Sequence, residues 1–247
     1  MIKLIFLLIV LMFPREQQIS TVPQEDMPSK NELMGKITPS NHPDFVKVDS
    51  TLSYFPEIYL RKNTYNAFLK MRQAALKDSI DIIIRSGTRT FYEQRYIWNQ
   101  KFTGNRKHGK GYLDQYFSDS AKVANLLAYT AVPGTSRHHW GTDIDINETS
   151  HVYFKREYGK KVYDWLMENA ADYGFYQVYV PFGDKRTTGY NTEEWHWTYK
   201  PESDKFTQAY RNKISYHELT GFHGENEIQK FEIIENYVYG INSDLLE

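Results

Sequence analysis

Two histidines and two aspartates crowd into Ser136-Arg137-His138-His139-Trp140-Gly141-Thr142-Asp143-Ile144-Asp145, and a second polar cluster, Glu193-Glu194-Trp195-His196-Trp197, follows about fifty residues later. Both clusters run into alternating patterns. Ile144 and Ile146 alternate with Asp143, Asp145 and Asn147, which is a strand with one apolar and one polar face, so Asp143 and Asp145 share a face. Glu194 to Tyr199 alternates again, with His196 on the face of Glu194 and Thr198. Gly141 and Thr142 let the chain double back, so that His138 and Asp145 can face one point. Helical and strand patterns follow one another without regular βαβ alternation. The expected class is therefore α+β, a small antiparallel sheet carrying the polar site and flanked by helices.

The rest of the chain fits around that sheet. With 247 residues, 40% of them hydrophobic, it can build one sizeable core. Leu4 to Phe13 is an apolar run behind Lys3, too short to span a bilayer as an ordinary helix but fitting a secretory signal. Residues 1–20 are expected to be a signal peptide or an N-terminal anchor, and the location to be exported, periplasmic or cell envelope. Residues 21–50 read as a linker and lead-in, polar and interrupted by Pro23, Pro28, Pro39 and Pro43. The compact domain is expected over 51–215, beginning near Asp49, and 216–247 is expected to be a C-terminal extension packed on it. Helices are expected after Asn63 or Thr64, over Phe91–Gln100, after Ser118 or Ser120, over Arg156–Tyr173 with Gly174 as the stop, and over Pro201–Asn212. Ile80–Ile84 and Phe175–Val180 read as further strands. In the tail, Ile228, Phe231, Ile234 and Tyr237 recur at helical spacing.

Composition narrows the chemistry. There is no cysteine, which removes disulfides, thiol catalysis, thiolate metal sites and an acylated-cysteine lipid anchor. A formal net charge of -1 argues against a nucleic-acid footprint, and no obligate protein partner is evident. The two clusters together offer two imidazoles, a carboxylate and a spare glutamate. That matches a catalytic zinc, which takes three N/O ligands, leaves one position for water and needs a carboxylate nearby. Two other readings compete. Ser136 with His138 and an Asp could be a serine hydrolase, but Gly134-Thr135-Ser136-Arg137-His138 lacks the second glycine of a nucleophile elbow. A non-catalytic cell-wall binding module is the alternative from another class. Some residues have ordinary roles: His139 behind a ligand or at the surface, the three nearby tryptophans in the core, and Arg106, Lys107, His108 and Lys110 in a solvated loop bordering the site. Glu194 is expected either to orient His196 or to be solvated.

Three spaced elements carry a resemblance. Ser136, His138, Gly141 and Asp145 fill S-x-H-x-x-G-x-A-x-D, Glu193, Trp195 and His196 fill E-x-W-H, and Ser86-Gly87-Thr88-Arg89-Thr90 with Gln94 follows S-G-Y-R-S-x-x-x-Q. From about Ile80 to Tyr199 the chain resembles the zinc D-alanyl-D-alanine carboxypeptidases of the VanY type, relatives of the VanX dipeptidases. The resemblance implies Zn2+ held by His138, Asp145 and His196, with Glu193 as general base and then acid. It implies Arg89 facing the carbonyl oxygen and Ser136 and Gln94 holding the substrate, a peptidoglycan stem peptide. The same site would serve an L,D-carboxypeptidase or a peptidoglycan endopeptidase. The presence of both Glu193 and Arg89 argues against a silent binding module. The chain departs from the pattern at Thr88, at Thr90 and above all at Asp143. There the family has a small apolar residue; here a second carboxylate could compete as a ligand or tune the site.

Overall fold

A computed structural model describes residues 27–109, 111–113 and 117–246, and the apolar run Leu4–Phe13 lies outside them. The centre is a four-stranded antiparallel sheet. Strands β3 (Ile84–Ser86), β4 (Asp143–Ile146), β5 (Phe175–Gln177) and β6 (His196–Tyr199) lie in the spatial order β3-β4-β6-β5. A separate ribbon pairs β1 (Phe45–Lys47) with β2 (Tyr59–Arg61). The α+β class with a small antiparallel sheet is as the alternation indicated.

Period two decides what each face of the sheet does. Ile144 and Ile146 of β4 are fully buried, in one cluster with Ile84, Phe175 and Trp197. They pack with α2 (Lys62–Lys77), which contributes Phe68 and Met71, and α6 (Glu157–Asn169), which contributes Val162 and Leu166. Burying each such aliphatic side chain is worth roughly 1.5–3 kcal/mol. The opposite face carries Asp143, Asp145, His196 and Thr198. The register sets Asp145 opposite His196 and Asp143 opposite Thr198. A one-residue slip would turn isoleucines and Trp197 into the site, so the apolar face fixes the polar one.

A second apolar cluster lies beyond the polar face. It unites α3 (Phe91–Phe102), α4 (Asp119–Leu126) and α7 (Lys200–Lys213), through Trp98, Val123, Leu126, Phe206 and Tyr210. Ser118 caps α4, and Thr90 with Glu93 forms a capping box on α3. The helix expected over Arg156–Tyr173 ends at Asn169 and tightens into a 3-10 turn, Ala170–Tyr173. Gly174 then turns the chain at φ 81°, where a Cβ would press on Tyr199 and Pro201.

Residues 27–50 differ from the expected lead-in. Ser29 and Glu32 form a capping box on α1 (Lys30–Leu33), and Leu33, Met34, Phe45 and Val48 are buried. Leu33 O accepts from Trp140 Nε1 at 3.1 Å, and Gly35 O accepts from Phe91 N at 2.8 Å. Arg61, also buried, bonds Glu32 at 2.8 Å and Asp44 at 2.9 Å. The compact body thus begins well before Asp49. The prolines hid this, because four scattered apolar residues give no period to read. The tail differs as well: the helical spacing becomes a 3-10 segment, Glu225–Phe231, then a π turn, Ile234–Val238, separated by Glu232 at φ 48°. Ile228, Ile233, Ile234, Val238 and Leu245 bury themselves in the α3–α4–α7 cluster. In the middle, α5 (His151–Lys155) precedes α6 and brings His151 to the edge of the site.

Candidate metal centre

The loop before β4 aims the first imidazole. Arg137–Trp140 is a buried 3-10 turn closed by Gly141 at φ 74°, a position where a Cβ would collide with the ring of Phe45. His138 Nδ1 lies 2.8 Å from Gly87 O. A carbonyl only accepts, so Nδ1 carries the proton and Nε2 is left with its lone pair. That Nε2 is 3.4 Å from Asp145 Oδ1. On β6, His196 Nε2 donates to Asp143 Oδ2 at 2.9 Å, which turns Nδ1 toward Asp145 Oδ1 at 3.5 Å and Glu193 Oε2 at 3.4 Å. His138, Asp145 and His196 each direct one ligand atom to a common point, all within 4.8 Å of one another.

Asp145 Oδ1 is buried and has no hydrogen-bond partner among the described residues. A carboxylate oxygen in that condition is costly unless a cation stands beside it. Burial pushes the Asp145 carboxyl up, but the imidazoles of His138 and His196 and the Arg89 guanidinium hold it below its usual range. Burial likewise opposes charge on His196, yet its bond to Asp143, Glu193 beside it and the Asp145 charge raise it to about 10. The pocket therefore asks for positive charge. Two aromatic nitrogens and one carboxylate, each nitrogen oriented by a bond from the far side of its ring, form a donor set that fits zinc.

Asp143 is not a competing ligand. It is fully buried and engaged by four partners: Arg137 Nε at 3.0 Å, His196 Nε2 at 2.9 Å, Thr198 Oγ1 at 2.6 Å and Thr142 Oγ1 at 2.8 Å. Burial would push its carboxyl up, but Arg137 and His196 hold it far below the usual carboxylate range. Arg137, which the motifs did not single out, is buried over the Trp140 ring at 4.5 Å and also reaches Thr198 Oγ1 at 3.2 Å. The readable signal was its place immediately before His138 and six positions ahead of Asp143.

Glu193 sits just outside β6, where its backbone N–H donates to Tyr179 O at 3.0 Å. Leaving the pleat there lets residues three apart face the same point, which a regular strand forbids. Arg89 is held from both sides. Its N–H donates to His138 O at 3.0 Å, and its carbonyl accepts from His139 Nδ1 at 2.6 Å. Its guanidinium reaches Gln94 Oε1 at 2.7 Å and Ser86 Oγ at 3.3 Å. Burial lowers the Arg89 pKa, while Asp145, Glu93 and Glu193 favour its charge.

Gln94, His139, Glu194 and Ser136 complete the surroundings of the centre. Gln94 accepts from Arg89 and donates through Nε2 to Ala131 O at 2.5 Å, so its amide braces Arg89. His139 is buried scaffold: Nε2 accepts from Gly134 N at 3.1 Å, and burial lowers its pKa to about 3. Glu194 turns away from His196 and pairs with His151 Nδ1 at 2.6 Å. Ser136 lines the cavity in front of the centre and accepts His139 N–H through its carbonyl at 3.0 Å. That cavity, about 880 Å³, is walled by Arg89, Lys101, Tyr179, Tyr190, Glu193 and Trp195 among others.

An α+β frame whose antiparallel sheet presents two histidines and an aspartate, beside a further carboxylate and a guanidinium, defines the class: a protein with a single-metal candidate site in a peptide-sized cleft. The chain belongs to the VanY D-alanyl-D-alanine carboxypeptidase family, whose model matches residues 57–202. It is 37% identical over 127 residues to a D-alanyl-D-alanine carboxypeptidase of Enterococcus faecalis, covering 51% of this chain and 42% of that protein. It is 30% identical over 172 residues to YodJ of Bacillus subtilis, covering 68% of this chain and 56% of the relative. The chain thus matches about half the length of these relatives. The solved LdcB LD-carboxypeptidase shares the fold, with a TM-score of 0.50 and 23% identity over 78% of this chain and 81% of that one.

Proposed function

We propose that this chain is a zinc-dependent carboxypeptidase that removes the terminal D-alanine of D-alanyl-D-alanine-type ends on peptidoglycan stem peptides. The observation that carries the reading is the orphaned Asp145 Oδ1, faced by His138 Nε2 and His196 Nδ1 with Glu193 alongside. His138, Asp145 and His196 would hold the metal. Zinc there would supply Lewis acidity, bringing the pKa of an attacking water from about 15.7 toward about 7. Glu193 takes the proton of the attacking water and returns it to the leaving amine, a base-then-acid role that its position beside His196 Nδ1 supports. Arg89, fixed by Gln94 and Ser86, places positive charge where the carbonyl oxygen becomes negative. Ser136, in the cavity wall, is assigned to the substrate backbone. We assign export to the apolar run Leu4–Phe13, which would bring the protein to stem peptides of the cell wall.

Pentapeptide and tetrapeptide muropeptides, offered side by side, test this directly. D-Alanine is expected to be released from the pentapeptide, abolished by a chelator, restored by zinc and indifferent to serine-directed reagents. Turnover that survives thorough chelation refutes the metal reading, and cleavage of the tetrapeptide alone refutes the D,D assignment. Glu193→Gln should lower kcat by about 10²–10⁴-fold with zinc content unchanged by metal analysis.

A further inference from the structure

The cavity is lined by charges of both signs. Asp145 and Glu193 share its lining with three cations, Arg89, Lys101 and Arg106. Lys101 lies in the last turn of α3 and is partly buried, with its ammonium donating to Thr130 Oγ1 at 2.8 Å. An ammonium has three donors and no acceptor, and a hydroxyl does not neutralise it. Among the described residues no carboxylate lies within ion-pair distance of Lys101 or Arg106; Lys47, Lys160 and Lys161, by contrast, each have one. Burial, then the charges of Arg106 and Arg89, push the Lys101 ammonium down to about 8. A desolvated cation beside two others is destabilising until an anion arrives. The amide of Gln94 is engaged on both sides, by Arg89 and by Ala131.

We propose that Lys101, held by Thr130 and supported by Arg106, forms an anion subsite that takes the free α-carboxylate at the C-terminus of the substrate. This deepens the proposed function and rests on it. Arg89 takes the scissile carbonyl, and Lys101, in the wall of the same cavity, takes the carboxylate one residue further on. Lys101 is thereby a specificity-determining residue that does not touch the reacting atoms. It makes the site an exopeptidase, because an internal peptide bond presents no anion there.

Two measurements on the zinc-loaded full chain separate this inference from the function beneath it. The first is steady-state hydrolysis of an acetylated Lys-D-Ala-D-Ala peptide by wild type, Lys101→Met and Lys101→Arg. The second is calorimetric binding of that peptide, as free acid and as terminal carboxamide, to Glu193→Gln and to Glu193→Gln with Lys101→Met. We expect Lys101→Met to raise KM about 10- to 100-fold with kcat within about twofold, the size of a charge-assisted hydrogen bond. Lys101→Arg should recover most of the loss. The acid should bind more tightly than the carboxamide only where Lys101 is present. Hydrolysis by wild type with an acid-to-amide preference independent of Lys101 overturns the subsite and leaves the function standing. A Lys101-dependent preference without hydrolysis does the reverse. A fall in kcat with KM unchanged, or equal losses for acid and carboxamide, assigns Lys101 a structural role and overturns the proposal. Absence of both hydrolysis and binding overturns both.

Discussion

Asp143 and Asp145 sit two residues apart on one face of β4, both buried, yet the protein treats them in opposite ways. Asp145 keeps an oxygen with no protein partner, directed at His138 and His196. Asp143 has every approach filled, by Arg137, His196, Thr198 and Thr142. The neighbouring histidines repeat the contrast: His138 offers a ring nitrogen to the centre, whereas His139 commits both to backbone. One set is left unsatisfied, as the proposed ligand role requires. The other is saturated so that the first cannot move. A buried network stabilises only when complete, and a ligand set is useful only when incomplete.

Exchanging the two aspartates separately should split these roles. Asp145→Ala is expected to lower kcat/KM by on the order of 10³-fold or more, with loss of stoichiometric zinc. The melting temperature of that variant, with chelator present, should match or exceed the parent's, since an unpartnered buried oxygen is removed. A large drop in stability would show that Asp145 is structural. Asp143→Ala should behave the other way. Leaving Arg137 buried and unpaired costs about 3–5 kcal/mol, read from denaturant unfolding, and zinc affinity should fall about 10–100-fold as His196 loses its outer bond. Unchanged stability in this variant would refute the saturated-scaffold role. Gln94→Met tests the same contrast at Arg89: kcat should fall about tenfold, through a guanidinium no longer braced, with zinc content intact.

The smallest effect lies at His139. Its folded pKa is lowered to about 3 from 6.5, so the folded state resists a proton that the unfolded chain accepts. The sign follows: His139 has no effect above pH 6.5 and subtracts stability as pH falls from 6.5 toward 3, by at most about 1.4 kcal/mol per pH unit. Its imidazole nitrogen shifts should report a neutral ring protonated at Nδ1 down to about pH 4. A ring that titrates near its ordinary value of about 6.5 would place His139 at the surface, as its sequence context alone allowed.

Much of the candidate site was legible before folding. The D-I-D-I alternation of Asp143–Ile146 announces a strand with both carboxylates on one face, and the sheet bears that out in its register. Donor types and spacing were readable because they are local: His138, Gly141 and Asp145 belong to one short loop and strand. The absence of cysteine limited any metal to nitrogen and oxygen donors. Alternation says which face a side chain occupies, but not what stands across from it. It therefore leaves Asp143 open between ligand and tuner, and Glu194 open between His196 and solvent. Each is decided by a partner distant in sequence, Thr198 for Asp143 and His151 for Glu194. Residues 27–50 show the same limit in the core. Leu33, Met34, Phe45 and Val48 have no period of their own, and only the surfaces offered by Trp140, Arg61 and Phe91 make them part of the body. The sequence by itself determined the donors and the strand faces, because those follow from residue chemistry and a two-residue repeat. Tertiary structure alone decided which donors remain unsatisfied, because that depends on long-range packing that fills some hydrogen-bonding positions and leaves others bare.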